Sequence, residues 1–262
     1  MEKGARVGWS NPARPPRLST YVWVATGTVR LAEITRANGA VPAHLAGGKP
    51  LVQPIFTRAA NLGGELVLSN LDRIRDEIVA HQSNAWARDA GYEPLYSAAP
   101  GARIALIGQA PGRKAQESGK PWNDASGVRL RAWLGVDDAQ FYDPNLFAII
   151  PMDFYYPGKG ASGDLPPRKD FAGLWHQRIL AELPGLQLTI LVGGYAQKYY
   201  LGDRAKPSLT ETVRAYAEYL PSTIPLVHPS PLNFRWQSRN PWFEVEVVPT
   251  LRSLVAGALA GS

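Results

Sequence analysis

The stretch Gly108 to Arg131, GQAPGRKAQESGKPWNDASGVRLR, decides how the rest of the chain is read. It follows the apolar run Ile104-Ala105-Leu106-Ile107 and leads into a helical pattern from Val128 to Leu134. The order is strand, glycine- and proline-rich loop, helix. In an open α/β sheet such a loop lies at the carboxyl ends of the strands, where ligands sit. Gly108, Pro111 and Gly112 predict a tight turn that another molecule can approach closely. Trp122, Asn123, Asp124 and Ser126 then crowd an aromatic ring and three polar groups in front of the helix. The same residues fit an ordinary surface loop that ends in an N-cap, so other parts of the chain must decide.

Working outward, strands are expected at 103–108, 146–150, 188–192 and 224–227, from apolar runs bounded by glycine and proline. Helical spacing predicts helices over 71–91, with Asn70 as N-cap, and over 128–134, 170–183, 195–201 and 209–220. A last helix is expected to open at Asn240-Pro241 and run to Leu259 with a kink near Pro249. Strands alternating with helices give an α/β fold: a three-layer α/β/α sandwich around a four-stranded, mainly parallel sheet. The expected partition is one domain over 71–262, preceded by a poorly structured basic extension over 1–70.

Composition narrows the chemistry. With 262 residues and 45% hydrophobic content, the chain can bury a sizeable core. It has no cysteine, which excludes disulfides, thiolate zinc sites and cysteine-held iron–sulfur clusters. His44, His81, His176 and His228 stand far apart without metal-ligand spacing, so neither metal nor cofactor is expected. The net charge is +6, but residues 1–70 hold eight basic against three acidic side chains and so most of the excess. A basic patch on the main domain must be local, and the basic arm is itself a candidate DNA contact. The run Tyr21-Val22-Trp23-Val24 is too short for a membrane span, and a cytoplasmic monomer is expected.

Three loops follow strands: the opening loop, the loop over 152–169, and His228-Pro229-Ser230-Pro231-Leu232-Asn233. Right-handed crossovers bring all three to one edge of a parallel sheet. A phosphate-binding loop of the triphosphatase kind is excluded, because the glycine spacing is too long and Pro121 stands where a hydroxyl belongs. The dinucleotide fingerprint is missing after the first strand. His228 sits at a strand end, in a loop stiffened by two prolines, where an imidazole can donate to an anion.

Taken together, GQAPG at 108–112, GKPWNDASG at 119–127 and HPSPLN at 228–233 resemble the uracil-DNA glycosylase superfamily, over roughly residues 72–255. The resemblance implies a DNA glycosylase that hydrolyses the N-glycosidic bond of uracil or a related deaminated base, leaving an abasic site. Its partner is uracil-containing DNA, and a flipped base must be held while its anion leaves. On this resemblance His228 donates to the uracil O2 oxygen and Trp122 stacks on the base. Gly108, Gln109, Ala110, Pro111 and Gly112 line the pocket. Ser230, Pro231, Leu232 and Asn233 approach the duplex, with Leu232 as the wedge, and Arg235 and Arg239 meet phosphates.

The departures matter. Where well-known members carry a water-activating aspartate third in the first motif, this chain has Ala110. Asp124 is then the expected base, though it reads equally as the cap of the next helix, and Asp153 is the reserve. The asparagine that often ends the second strand is replaced by the run Ile150-Pro151-Met152-Asp153, which argues against strict uracil specificity. A non-catalytic binder that keeps the pocket is the rival reading, favoured by Ala110.

Overall fold

The computed structural model describes residues 20–25, 28–33, 68–161 and 163–261. The chain divides into two units, Met1–Thr57 and Arg58–Ser262. In the first, β1 (Thr20–Ala25) and β2 (Thr28–Glu33) pair antiparallel, with Thr20 opposite Glu33 and Ala25 opposite Thr28. The β-prone run read from the sequence lies in β1. Apart from these two strands, the expected basic extension up to residue 67 lies outside the described residues.

The second unit runs α1 (Asn70–Ala80), α2 (Ala85–Asp89), β3 (Ile104–Ile107), α3 (Arg113–Ser118), α4 (Ala125–Leu134), α5 (Asp138–Phe141), β4 (Phe147–Ile149), α6 (Phe171–Ala181), β5 (Leu188–Val192), α7 (Gly194–Leu201), α8 (Leu209–Arg214), β6 (Thr223–Leu226), α9 (Phe234–Arg239) and α10 (Val248–Ala260). The strand order is β4-β3-β5-β6, and all three pairings are parallel. The sheet is thus wholly parallel. Its first strand lies inside, so the connections diverge to either side between β3 and β5. That reversal opens a crevice at the carboxyl ends of the strands.

Period-two alternation assigns the two faces. Ile104, Leu106, Phe147, Ile149, Ile190 and Ile224 pack with Leu130, Trp133, Leu134, Leu251 and Val255 of α4 and α10. Ala105, Ile107, Ala148 and Leu191 pack with Ile74, Ile78, Trp175, Ile179 and Ala196 of α1, α6 and α7. Both faces are covered, which is why the strands read as unbroken apolar runs. Among the described residues no helix is long and apolar enough to cross a membrane.

The expected elements needed adjustment at their ends. The single helix over 71–91 is two helices, because His81 is extended (ψ 136°) and the buried Asn84 side chain donates to the Ile78 carbonyl. The cap is Ser69, in a capping box with Asp72, while Asn70 bonds Glu182 instead. The stretch over 209–220 ends as a 3₁₀ turn, Tyr216–Tyr219. The last helix is not one kinked rod: a π segment, Phe243–Val247, precedes α10, and Pro249 sits in the first turn of α10, where its missing N–H costs nothing. Three short helices, α3, α5 and α9, were not foreseen.

His176 is a buried brace. Its Nε2 donates to the Pro151 carbonyl at 3.0 Å, which leaves Nδ1 to accept from the Tyr200 hydroxyl at 2.7 Å. Burial pushes its pKa down to about 4. The unfolded chain binds this proton at about pH 6.5 and the folded chain only near pH 4, so the neutral brace contributes fully above pH 6.5 and is lost as pH falls toward 4. We expect unfolding free energy from urea titration to drop by roughly 3 kcal/mol across that window, relative to a His176→Gln variant. Parallel pH profiles for the two proteins would contradict this.

Candidate active site

The loops after β3, β4 and β6 enclose a cavity of about 410 Å³. Gly108, Gln109, Ala110, Pro111 and Gly112 line it from the first loop, Trp122, Asp124 and Ser126 from the approach to α4, and His228 and Ser230 from the last loop. The loop between β4 and α6 adds Pro151, Pro157, Asp164 and Leu165. The three motifs therefore meet at one place, as the parallel topology requires.

Trp122 is held by design features that a merely space-filling tryptophan does not need. Its φ is 55°, in the left-handed region that non-glycine residues rarely enter. Its carbonyl accepts from the Tyr142 hydroxyl and from Arg131 Nη1, each at 3.4 Å, and Tyr142 also donates to the Pro121 carbonyl at 3.0 Å. Arg131 is anchored in turn by Asp138, Nε to Oδ1 at 2.7 Å. The ring lies over Gly108, where an added Cβ would stand 3.0 Å from Trp122 Cζ2. At Gly127 an added Cβ would stand 1.7 Å from the Trp122 carbonyl oxygen. Gly127→Ala is accordingly expected to destabilise the fold by several kcal/mol or to displace the Trp122 ring, read as a lowered Tm or shifted tryptophan fluorescence; a variant unchanged in both would show that α4 yields there freely.

His228 faces that ring, with centroids 5.5 Å apart and planes tilted by 32°. The Ser230 backbone N–H donates to His228 Nδ1 at 3.2 Å, which makes Nδ1 the acceptor and leaves the proton on Nε2. Burial lowers the His228 pKa from its usual value, with a smaller opposing effect from the nearby Asp124 carboxylate. The imidazole is therefore a neutral donor near pH 7. Asn233 Nδ2 donates to the His228 carbonyl at 2.8 Å and braces the loop.

Asp124 is both a helix cap and a lining residue of the cavity. It is the N-cap of α4, its Oδ1 accepting from the Gly127 N–H at 2.9 Å, and it also lines the cavity within electrostatic reach of His228. Asp153, the reserve, is not brought to the cavity. It is 0% exposed and forms a two-pronged pair with Arg168, at 2.7 and 2.8 Å, while its oxygens also accept the backbone N–H groups of Tyr155 and Arg168. A carboxylate saturated in this way has no lone pair left for water or base. It anchors the loop between β4 and α6, since Arg168 also reaches Asn84 Oδ1 at 2.7 Å and packs over the Phe171 ring. The Asp153 backbone N–H meanwhile donates to the Gln109 carbonyl at 3.2 Å, so its tie to the first motif is through the main chain.

Pro231, Leu232 and Asn233 form a 3₁₀ turn started by Ser230, whose hydroxyl accepts from the Leu232 N–H. Leu232 is 85% exposed at its tip. Phe234, 57% exposed, stands beside it, and Arg235 and Arg239 are exposed on α9. Arg129 of α4 bonds Gln237 at 3.2 Å and ties α9 to the cavity wall. A second groove, of about 420 Å³, shares Gln109 and His228 with the first and is lined also by Gly193, Tyr195, Lys198, Asn233 and Trp236.

Several of these residues escaped the sequence reading. Gly193-Gly194 after the third strand carried a signal, since every such loop ends at the same sheet edge. Tyr142, Arg131, Asp164 and Leu165 carried none, because their roles depend on contacts across the fold. Among the described residues no group of three metal-ligating side chains occurs.

A family model described as the uracil DNA glycosylase superfamily matches residues 95–252, more than half of the chain. The match spans all four strands of the parallel sheet and the three loops that build the cavity. Together, fold, cavity and match place this chain in the uracil-DNA glycosylase superfamily.

Proposed function

We propose that the protein is a monofunctional DNA glycosylase that removes uracil, or a related deaminated base, from DNA as a first step of base-excision repair. The observation that carries this reading is the meeting in one cavity of a neutral, Nε2-protonated His228, the Trp122 ring held on a left-handed backbone, and the Asp124 carboxylate. The base is flipped from the duplex and stacks on Trp122. The C1′–N1 bond breaks with its electron pair passing to the base, and His228 Nε2–H stabilises the resulting anion at a carbonyl oxygen. Water adds to C1′ of the oxocarbenium-like sugar, and Asp124 takes up its proton. Leu232, with Phe234 beside it, fills the vacated stack. Arg235, Arg239 and Lys198 supply positive charge for phosphates. The enzyme acts as a monomer and needs neither metal nor cofactor.

Ala110 favours a second reading, a base-binding protein that does not cut, because it leaves the first motif without a carboxylate. Incubation with single- and double-stranded oligonucleotides carrying one uracil, followed by alkali, separates the two. Strand nicking at the uracil supports the glycosylase. Retarded mobility without nicking on either substrate would support the binder.

A further inference from the structure

Ser126 is the most deeply buried polar side chain lining the cavity among the described residues, at 7% exposure. Its hydroxyl has no hydrogen-bond partner in the protein and is not sealed off, so it opens onto the cavity. The other polar linings are largely engaged: Asp124 accepts from Gly127, Ser230 from Leu232, and Asp164 from the Tyr156 hydroxyl. Ser126 is the second residue of α4, a helix of ten residues whose first-turn amides cannot be satisfied within the helix. The Asp124 side chain caps only the Gly127 N–H. An unbonded hydroxyl and the positive end of a helix thus meet at one wall, an arrangement that favours an oxygen bearing negative charge.

We infer that Ser126 binds the departing base, its hydroxyl donating to a carbonyl oxygen of that base while the α4 amides reinforce the favourable field. This rests on the glycosylase reading above. No proton leaves Ser126. The electron pair of the broken C1′–N1 bond spreads onto the base carbonyls, and the hydroxyl stabilises one of them while His228 stabilises another. A base with two ring carbonyl groups, as deamination of cytosine creates in uracil, offers an acceptor to each. Ser126 is thereby a further catalytic residue, and one that favours uracil over cytosine.

The test is single-turnover excision by wild type and Ser126→Ala on DNA carrying uracil or 5-fluorouracil, whose anion is intrinsically more stable. The variant should lose about ten- to a hundredfold on uracil and clearly less on 5-fluorouracil, because the better leaving group needs less assistance. Affinity for abasic-site DNA, which holds no base, and Tm should stay unchanged. Equal losses on both bases, or no loss, would overturn the assignment while leaving the glycosylase reading intact. A wild type that excises neither base would instead overturn the glycosylase reading and this role with it.

Discussion

Asp124→Asn is expected to lower uracil excision by about a hundredfold or more while Tm and binding to uracil-containing DNA persist. The reason is that, under the proposed function, Asp124 has two separable tasks. Its Oδ1 caps α4 by accepting from Gly127, and an asparagine carbonyl does that equally well. Only the carboxylate can take a proton from water and offset positive charge on the sugar. Asp124→Ala should therefore show the same kinetic loss together with about 1 kcal/mol of lost stability, the usual value of an N-cap. A third readout is His228 itself. Asp124 holds the His228 pKa up against burial, so Asp124→Asn should lower it further, visible in an NMR titration of the imidazole. Wild-type excision rates in Asp124→Asn would reduce this residue to a cap and leave Asp164 as the remaining carboxylate that lines the cavity.

His228→Ala is expected to cost about a hundred- to a thousandfold in excision rate, the range for removing one preorganised donor to a developing anion. His228→Gln should retain part of the rate, because its amide can present an N–H to the same oxygen. The structure supplies the reason for a neutral rather than a charged donor. The Ser230 N–H occupies Nδ1, and burial holds the pKa below its ordinary value, so protonation requires both breaking that bond and burying a charge. Nitrogen chemical shifts of His228 should accordingly report a neutral Nε2–H ring at pH 7. An imidazolium at that pH, or equal losses in the alanine and glutamine variants, would rule out the proposed donor geometry.

Much of the architecture was legible because it rests on short-range patterns. Unbroken apolar runs such as Ile104–Ile107 and Leu188–Val192 can be satisfied only by strands buried on both faces, and that forces a parallel sheet with helices on each side. Helix ends were less legible, since capping depends on which side chain wins a backbone group. Ser69 took the cap expected of Asn70, and Asn84 reached back to Ile78 and divided a helix. The site showed the same division. Gly108, Trp122, Asp124 and His228 announced themselves through unusual residue types at strand and helix ends. Tyr142 and Arg131 are ordinary in sequence and matter only because the fold brings them to the Trp122 carbonyl.

By itself the sequence determined the class of fold, the edge of the sheet that carries the loops, and the absence of any chemistry that needs cysteine. These follow from periodicity, from chain connectivity and from composition, which no packing can alter. The tertiary structure alone decided which of the two carboxylates lines the cavity. Asp153 and Asp124 look alike as letters, but the fold gives them different partners.

 Arg168 closes on both oxygens of Asp153 and removes it from the cavity, whereas Asp124 spends one oxygen on the Gly127 N–H and stays at the cavity wall beside His228. Arg168 lies 15 residues along the chain from Asp153, and only the folded loop brings the two side chains together.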